Sequence, residues 1–422
     1  MTTTELEQFR GRARTWLEEN LPRRKPGDAE ARKLLDVKEH TAEALAEQRA
    51  LQRRMYDAGY AGITWPLEYG GQGLDTAYER VFNEEARDFV LPDLGVVGGA
   101  TFYVCGPTML AHASPAFLAR HVPRMLAGDE LVAQFFSDPD AGSDLAAVRT
   151  QAVRDGDRWI LNGSKIWSSG AYYADIGMCL ARTDWEVPKH RGLTWFAVPV
   201  AAPGVTLERI RQINGNAEFC QEFFDDVVLT DDDVIGEVND GWTVTQTMLL
   251  YERGGGAARA NASQPRSTGI KRDVLDLVAD LNGWDDPAVR DLAARIHVDD
   301  LARAALGRRM AAVTATDPAG AVNLASYGKL AAGVFDPIRA NQMMEIAGQA
   351  AIAWDDRATA GAATALGLLN SRFMAIAGGT VQMQRNSIGE RVLGLPREPS
   401  FDSRRPFREV VRDARNWSGT VS

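Results

Sequence analysis

Apolar residues recur at helical spacing over about the first 130 residues of the chain. The segments in which this period predicts helices are Thr4 to Glu19, Glu39 to Ala58 and Asp75 to Asp88. The stretch YGGQGL before the third is predicted to be a tight turn, because it lacks the Lys-Ser/Thr pair and the βαβ context of a phosphate-binding loop. The longest apolar tract, Leu94 to Ala111, contains several glycines and a proline, which favour a buried helix with a turn over a membrane span.

The pattern changes between Leu131 and Trp242 to alternating apolar and polar positions, rich in β-branched and aromatic residues. The strands that it predicts include Asp175 to Ala181, Leu193 to Val200, Val205 to Ile213 and Phe219 to Leu229. Asn162-Gly163 predicts a two-residue hairpin turn between two further short strands. Lys189 to Arg191 are polar and lie between strands, so a solvated loop tip is predicted there. This part of the chain is therefore predicted to be an antiparallel β-domain.

The helical period returns after Gly241 and lasts nearly to the end of the chain. The predicted helices are Trp242 to Ala262, Pro287 to Met310, Ala321 to Ile346, Ala363 to Ile376 and Gln382 to Leu393. The fold class is therefore predicted to be multidomain α+β. Its parts are an N-terminal helical domain (residues 1–130), a middle antiparallel β-domain (131–242) and a C-terminal helical bundle (243–422).

Composition and charge exclude several classes of protein. The 422 residues carry a net charge of −10, and no basic run interleaves with aromatic residues, so a nucleic-acid partner is not expected. The first twenty residues lack an apolar signal core, and no membrane association is predicted. Cys105, Cys179 and Cys220 are far apart in apolar settings, which is typical of buried thiols in the cytoplasm. The five histidines show neither metal-ligand spacing nor a Ser-His-Asp set, so no metal site is predicted.

Two motifs carry candidate chemistry. In QFFSDPDAGSD, Gly142 lets the backbone approach a ligand closely, and Ser143 offers a hydroxyl at the far end of the loop. In WSSG, Trp167 stands beside two hydroxyls and a glycine, a set that suits a planar heteroaromatic cofactor with a face to stack on and an edge to hydrogen-bond. Taken alone, these motifs favour the simpler interpretation of a core tryptophan with surface turns.

Further motifs in a fixed order make the chain resemble the acyl-CoA dehydrogenase flavoproteins. The matching pieces are GITWPLEYGGQG, FSDPDAGSD, NGSKIWSSGA, YADIGMCLART, PGV, FFDDV, IGEVNDGW, YERGG and GGTVQMQRNSIGERVLGLPRE. The resemblance covers most of the chain and implies FAD as cofactor. It also implies the oxidation of an acyl-CoA thioester between its α- and β-carbons, in which a base removes the α-proton while the β-hydrogen leaves as hydride. The electrons then pass to an electron-transfer flavoprotein.

The resemblance also implies the residues that bind the cofactor and substrate. The implied cofactor-binding residues are Phe136, Ser137, Gly142, Ser143, Trp167, Ser169, Thr380 and Gln382. Trp167 and Ser169 would cover the face of the flavin ring. Ser143 would contact the CoA arm of the substrate, and Arg253 would bind near that arm or help to fix the site. For Thr380 and Gln382, the alternative is that they form a helix N-cap and part of the first turn of that helix.

The resemblance identifies Glu252 as the catalytic base. Many family members carry a glutamate immediately before the Gly-Thr of the C-terminal motif, but Gly378 stands at that position here. Another branch places its glutamate on the first helix of the bundle, directly before an arginine, as in Tyr251-Glu252-Arg253. The apolar residues Met248 to Leu250 predict a partly desolvated carboxylate, which suits a general base. The alternative is an exposed glutamate that forms salt bridges along the helix.

Two departures from better-known members bear on substrate and assembly. Gly254 to Gly256, each costing about 1 kcal/mol within a helix, predict room for a bulky, branched or cyclic acyl group, and a bent helix is the alternative. The Arg-x-x-Phe-Gly segment, which in better-known members holds the neighbouring subunit's FAD, is missing between Arg253 and His297. In addition, the expected Gln-Ile-x-Gly-Gly motif reads Glu-Ile-Ala-Gly-Gln here, so that Gln349 replaces its last glycine. Both departures resemble the bacterial branch in which non-identical subunits share fewer flavins and act on steroid or other bulky CoA esters.

The predicted function is FAD-dependent α,β-dehydrogenation of an acyl-CoA thioester in lipid or steroid degradation. The predicted assembly is a homodimer, a homotetramer or a heterotetramer with a paralogous subunit. The alternatives are a flavin oxidase or monooxygenase of the same fold, a dehydrogenase of a carrier-protein-bound acyl group, and a subunit of a heteromeric dehydrogenase. Glu252 together with Trp167 and Ser169 argues against a catalytically silent subunit.

Overall fold

A computed structural model of the chain describes residues 3–24, 41–252, 269–317, 324–354, 359–397, 399–400 and 402–415. Helices come first, a β-sheet follows, and helices form the rest, so the predicted fold class is confirmed. Arg253 and Gly254 to Gly256 lie outside the described residues, so the predictions made for them are not addressed by the structure.

The N-terminal part is a set of amphipathic helices. They are α1 (Thr3–Asn20), α2 (Ala42–Asp57), α3 (Thr76–Glu85), α4 (Gly95–Ala100), α5 (Gly106–His112) and α6 (Pro115–Leu126). The apolar faces of α1, α2 and α3 meet in a core that includes Phe9, Leu17 and Phe82, whereas α5 and α6 pack in a core shared with the sheet. A π-helical turn, Thr101–Cys105, joins α4 to α5, so the predicted helix in this apolar tract is confirmed, although Val96 and Tyr103 are exposed.

The middle part is one eight-stranded sheet. Its strands are β1 (Val132–Phe135), β2 (Gln151–Asp155), β3 (Arg158–Ser169), β4 (Ile176–Arg182), β5 (Leu193–Pro199), β6 (Val205–Ile210), β7 (Phe219–Thr230) and β8 (Val234–Ile235). The order is β6-β7-β3-β2-β4-β5-β8, and β1 pairs with β4. Most neighbours are antiparallel as predicted, but β1 and β2 each run parallel to β4.

The predicted hairpin at Asn162-Gly163 is wrong, because β3 runs straight through both residues. The turn lies earlier, between β2 and β3, which pair from Asp155 and Arg158 onward. Gly163 has a φ of 137° and sits at a register shift between β3 and β7. A Cβ at Gly163 would lie 2.7 Å from Thr150 Cα, so this glycine permits a close approach between strands and a β-bulge.

The predicted solvated loop tip at Lys189 is also wrong. Lys189 is buried, and its ammonium lies between two carboxylates, 2.7 Å from Asp144 Oδ2 and 2.6 Å from Asp402 Oδ2. The second carboxylate comes from a segment more than two hundred residues further along the chain. Local polarity gives no sign of such a partner, which explains the error.

The C-terminal part is again helical. Its helices are α7 (Gly241–Leu250), α8 (Arg272–Asp280), α9 (Pro287–Thr316), α10 (Ala325–Ala347), α11 (Ala360–Asn370), α12 (Val381–Arg391) and α13 (Phe407–Arg415). Leu277, Ile296 and Ile346 pack together in the core of the bundle. The predicted helix set did not include α8 and α13. Within the described residues, no helix combines the length and the apolar character needed to cross a membrane.

Candidate active site

A buried ion pair fixes the loop that follows β1. Lys165 is fully buried on β3, and its ammonium donates to the Asp138 carboxylate at 2.6 Å and to the Phe136 carbonyl at 2.8 Å. Asp138 also accepts hydrogen bonds from the Thr150 backbone N–H at 2.8 Å and its hydroxyl at 3.0 Å. A buried charge is tolerated only when paired and hydrogen-bonded in this way. The network therefore holds Phe136 and Ser137, two predicted cofactor residues, against β3.

Trp167 occupies a strained position beside that loop. The Ile166 N–H donates to the Ser137 carbonyl at 2.9 Å, which joins the loop to β3 one residue before Trp167. The register of β3 against β7 shifts between Ile166 and Ser168, and Trp167 has a φ of 71°. A bulky residue with positive φ costs about 1–3 kcal/mol, and such strain clusters at functional sites. Trp167 is also exposed, with 56% of its surface accessible to solvent.

A buried carboxylate lies beneath this bulge. The Ser168 hydroxyl donates to Glu222 Oε2 at 2.9 Å, and Glu222 is fully buried on β7. Burial raises the pKa of Glu222 to about 7, and the Ser168 hydrogen bond and the Lys165 charge oppose that rise. The second oxygen, Oε1, has no hydrogen-bond partner among the described groups. Sequence reasoning missed Glu222, although a glutamate at an inward position of an alternating strand was a signal that could have found it.

The surroundings of Trp167 fit a flavin ring. The indole offers an exposed aromatic face, and Ser169 supplies a partly exposed hydroxyl two residues on. Gly142 and Ser143 are exposed in the loop after β1, and a Cβ at Gly142 would meet nothing within 4 Å. A planar ring with a polar edge requires an aromatic face to stack on and hydrogen-bond donors at its edge, and these residues offer both. No observation on the described residues contradicts the predicted cofactor contacts.

Glu252 and Gly378 converge in space. A Cβ at Gly378 would lie 3.5 Å from Glu252 Oε1 and 3.5 Å from Lys329 Cε. Lys329 donates to the Met374 carbonyl at 2.5 Å, which places it against the same segment. The buried Cys105 thiol also lies within the field of Glu252, which adds to the rise in pKa that burial gives this thiol. The two positions at which the resemblance places a glutamate thus face one place, which lies close to residues of the N-terminal and C-terminal parts of the chain.

The expected partial burial of Glu252 is not observed, because its side chain is exposed. Met248, four residues earlier, is fully buried and would share a face with Glu252 in a regular α-helix. Hydrogen bonding becomes π-helical at Tyr251 and Glu252, and the wider turn rotates the carboxylate off that face. Glu252 interacts with neighbouring groups, so its exposure does not make it isolated.

Aromatic contacts connect the Trp167 bulge to the segment that precedes Gly378. The Trp167 ring meets Phe219 edge-on at 5.9 Å, and Phe219 meets Phe373 at 6.0 Å between ring centroids. Phe373 precedes Met374, the residue whose carbonyl holds Lys329. Trp167 on the sheet is therefore linked, through the packed rings of Phe219 and Phe373, to the segment that leads to Gly378 and Glu252.

The remaining predicted residues lie at the start of α12. Thr380 is the N-cap of this helix, since its hydroxyl accepts a hydrogen bond from the Met383 N–H at 3.2 Å. This confirms the N-cap interpretation of Thr380, and its cofactor contact stays a prediction. Gln382 is exposed in the first turn. Arg253, predicted to bind the CoA arm, lies outside the described residues.

Domain models of one family match nearly the whole chain. The acyl-CoA dehydrogenase N-terminal domain matches residues 3–129, the middle domain 133–227 and the C-terminal domain 239–393. These three matches follow one another in the order of the predicted parts.

Individual relatives agree with the domain models. IpdE1, an acyl-CoA dehydrogenase of Mycobacterium tuberculosis, is 34% identical over 93% of this chain and 99% of its own length. FadE34 of the same organism is 37% identical over 84% of this chain, which spans only about half (48%) of that relative. A solved structure, the Tcur3481-Tcur3483 steroid ACAD, has 27% identity and a TM-score of 0.72 over 94% of this chain and 99% of its own. The chain thus belongs to the acyl-CoA dehydrogenase family of oxidoreductases, as its motifs predicted.

Proposed function

We propose that the protein catalyses FAD-dependent α,β-dehydrogenation of an acyl-CoA thioester, with Glu252 as the base. The observation that carries this proposal is the convergence of Glu252 and Gly378, 3.5 Å from the carboxylate oxygen to the position of a Cβ on the glycine. A carboxylate two residues beyond α7 thus lies beside the position from which the C-terminal motif supplies the glutamate in other family members. The strained, exposed Trp167 supports a cofactor platform nearby.

The proposed chemistry divides the work between the chain and its cofactor. FAD, when bound, supplies the acceptor for the hydride that leaves the β-carbon. Glu252 removes the proton from the α-carbon, and the electron pair of that C–H bond becomes the new carbon–carbon double bond. General-base catalysis of this kind contributes about 10²–10⁴ in rate. Phe136, Ser137, Trp167 and Ser169 hold the ring, with further contacts from Gly142, Ser143, Thr380 and Gln382.

The substrate arm and the acyl group are assigned to different residues. Ser143 and Arg253 bind the CoA arm, and the acyl end lies toward Glu252. We assign a bulky, branched or cyclic acyl group because the solved neighbour with a TM-score of 0.72 is named a steroid ACAD. The glycines that follow Arg253 in the sequence are consistent with such a group.

Electron-transfer flavoprotein is the proposed electron acceptor, and a paralogous subunit is the proposed partner. Gln349, which interrupts the family's glycine pair, favours a heteromeric assembly over a homo-oligomer. A cytoplasmic location is proposed because the three cysteines are buried and unpaired. A flavin oxidase is the alternative that the fold also permits, and it would pass its electrons to oxygen.

The purified protein, alone and co-expressed with a paralogous partner, tests this function through its colour. A flavin spectrum should be present and should bleach when bulky acyl-CoA esters are added without air. Reoxidation should then require electron-transfer flavoprotein, whereas rapid reoxidation by air would show an oxidase. An FAD-saturated preparation with no flavin absorbance, either alone or in the complex, would refute the assignment.

A further inference from the structure

A C-terminal arm, residues 402–415, lies beyond the matched family domain, which ends at residue 393. The arm contains α13 and returns to the middle sheet. Its contacts are specific and reach the segment between β1 and β2 that carries Ser143.

Phe407 anchors the arm on the loop after β4. It is almost fully buried, and its ring stacks on Trp185 with centroids 5.6 Å apart and planes 18° apart. The Phe407 N–H donates to the Val187 carbonyl at 3.0 Å, and the Arg408 N–H donates to the Trp185 carbonyl at 3.0 Å. Two main-chain hydrogen bonds and a buried aromatic ring fix this end of the arm firmly.

The first connection from the arm to the Ser143 loop runs through Arg182. This guanidinium is fully buried and lies 4.2 Å from the centre of the Phe407 ring, within cation–π distance. Arg182 donates to the Ala146 carbonyl at 2.6 Å and to the Lys189 carbonyl at 2.8 Å. Phe407 therefore covers the cation that holds Ala146, three residues after Ser143.

The second connection runs through Lys189. Its ammonium joins Asp402 on the arm at 2.6 Å to Asp144 at 2.7 Å. Asp402 is oriented in turn by the Ser400 hydroxyl, which donates to Oδ1 at 2.6 Å. Asp144 is the residue directly after Ser143, and its carbonyl accepts the Ala147 N–H at 2.9 Å. Both connections thus end within three residues of Ser143.

We infer that the arm is a positioning element for the Ser143 loop, with Asp402 and Phe407 as its positioning residues. The inference rests on the proposed function, in which Ser143 binds the polar arm of the thioester. Gly142 and Ser143 are themselves exposed, and the two connections hold the residues that directly follow them, Asp144 and Ala146. Holding the loop before substrate arrives lowers the ordering cost of binding. The arm therefore sets the affinity for the CoA arm and leaves the proton transfer at Glu252 unaffected.

Asp402→Asn, with Asp413→Asn as control, tests the inference in the full-length flavoprotein. Asp413 is an exposed carboxylate on the same arm that pairs with Arg405, away from the loop. We expect Asp402→Asn to raise KM for acyl-CoA about tenfold with kcat within twofold, because one charge-assisted contact is lost. Asp402→Glu should restore most of the affinity. Phe407→Leu should repeat the rise in KM through the other connection.

Amide hydrogen exchange gives a readout that needs neither substrate nor turnover. The Ala147 and Val148 amides should exchange faster in Asp402→Asn and Phe407→Leu, and at the wild-type rate in Asp413→Asn. Faster exchange with an unchanged KM would overturn the inference, and so would unchanged exchange. A wild-type protein that does not oxidise acyl-CoA would refute the proposed function, and the exchange rates would still show whether the arm fixes the loop.

Discussion

Replacing Glu222 by glutamine should change how the stability of the middle sheet depends on pH. Glu222 is fully buried, and burial raises its pKa to about 7 from an ordinary 4.5. Between these values the folded chain binds a proton that the unfolded chain has released. The contribution of Glu222 protonation to the free energy of unfolding is therefore complete below pH 4.5 and is lost as the pH rises through 7. At about 1.4 kcal/mol per pH unit the loss is about 3 kcal/mol.

Urea unfolding at pH 5, 6, 7 and 8 measures this effect in wild type and Glu222→Gln. Amide exchange in peptides from β3 and β7 should report the transition, because the unfolding of a multidomain chain is not two-state. The free energy of unfolding of Glu222→Gln relative to that of wild type should rise by about 2.5 kcal/mol from pH 5 to pH 8, because part of the loss has already occurred at pH 5. Glu208→Gln, an exposed carboxylate on β6, is the control and should show no such trend. A difference for Glu222→Gln that stays constant with pH would refute the reasoning.

Three further substitutions test the site and its supports. Trp167→Ala should weaken FAD retention in a dialysis assay, whereas Trp284→Ala, on an exposed ring of the bundle, should not. Lys165→Met should destabilise the middle sheet by about 3–5 kcal/mol in urea, because it leaves the Asp138 carboxylate buried without its cation. Gly163→Ala should destabilise more than Gly156→Ala, since both have positive φ but only the former meets Thr150, and equal losses would contradict the packing argument.

The periodicity of the sequence was sufficient to predict the main elements of the fold. Alternation and the content of β-branched and aromatic residues predicted β4 to β7 within a few residues. Of these strands, β7 buries alternate positions over much of its length, whereas β4 is buried throughout and β5 at every position but its last. The hairpin at Asn162-Gly163 failed because the same dipeptide also suits a β-bulge. The contact with Thr150, the residue directly before β2, decides which of the two forms, and the local sequence gives no sign of that contact.

The candidate site was predictable only where a family motif carried it. The convergence of Glu252 with Gly378 followed from comparing two branches of the family, and the structure places the two together. The buried charges were not predictable in the same way. Lys189 is polar and lies in a loop, so its burial depends on Asp402 in a distant segment. Long-range ion pairs leave no local pattern, and for that reason the C-terminal arm was not predicted.

A rescue experiment asks whether the convergence at Glu252 is functional. In the Glu252→Gln background, the second substitution Gly378→Glu returns a carboxylate to the same place, now carried by residue 378 instead of residue 252. Gly378→Gln in the same background is the control, because it carries the same strain at a φ of 63° without the basicity. Partial recovery of flavin reduction with glutamate and none with glutamine is the expected result. Equal behaviour of the two double variants would show that Gly378 does not face the α-carbon.

Anaerobic flavin reduction by substrate in Glu252→Gln is the most direct test of the central claim. The glutamine keeps the shape and hydrogen-bonding capacity of the side chain and removes its basicity. Rapid mixing with a bulky acyl-CoA should therefore show wild-type substrate binding and reduction slowed by about 10²–10⁴. Flavin reduction at the wild-type rate in Glu252→Gln would show that another group is the base and would contradict the account.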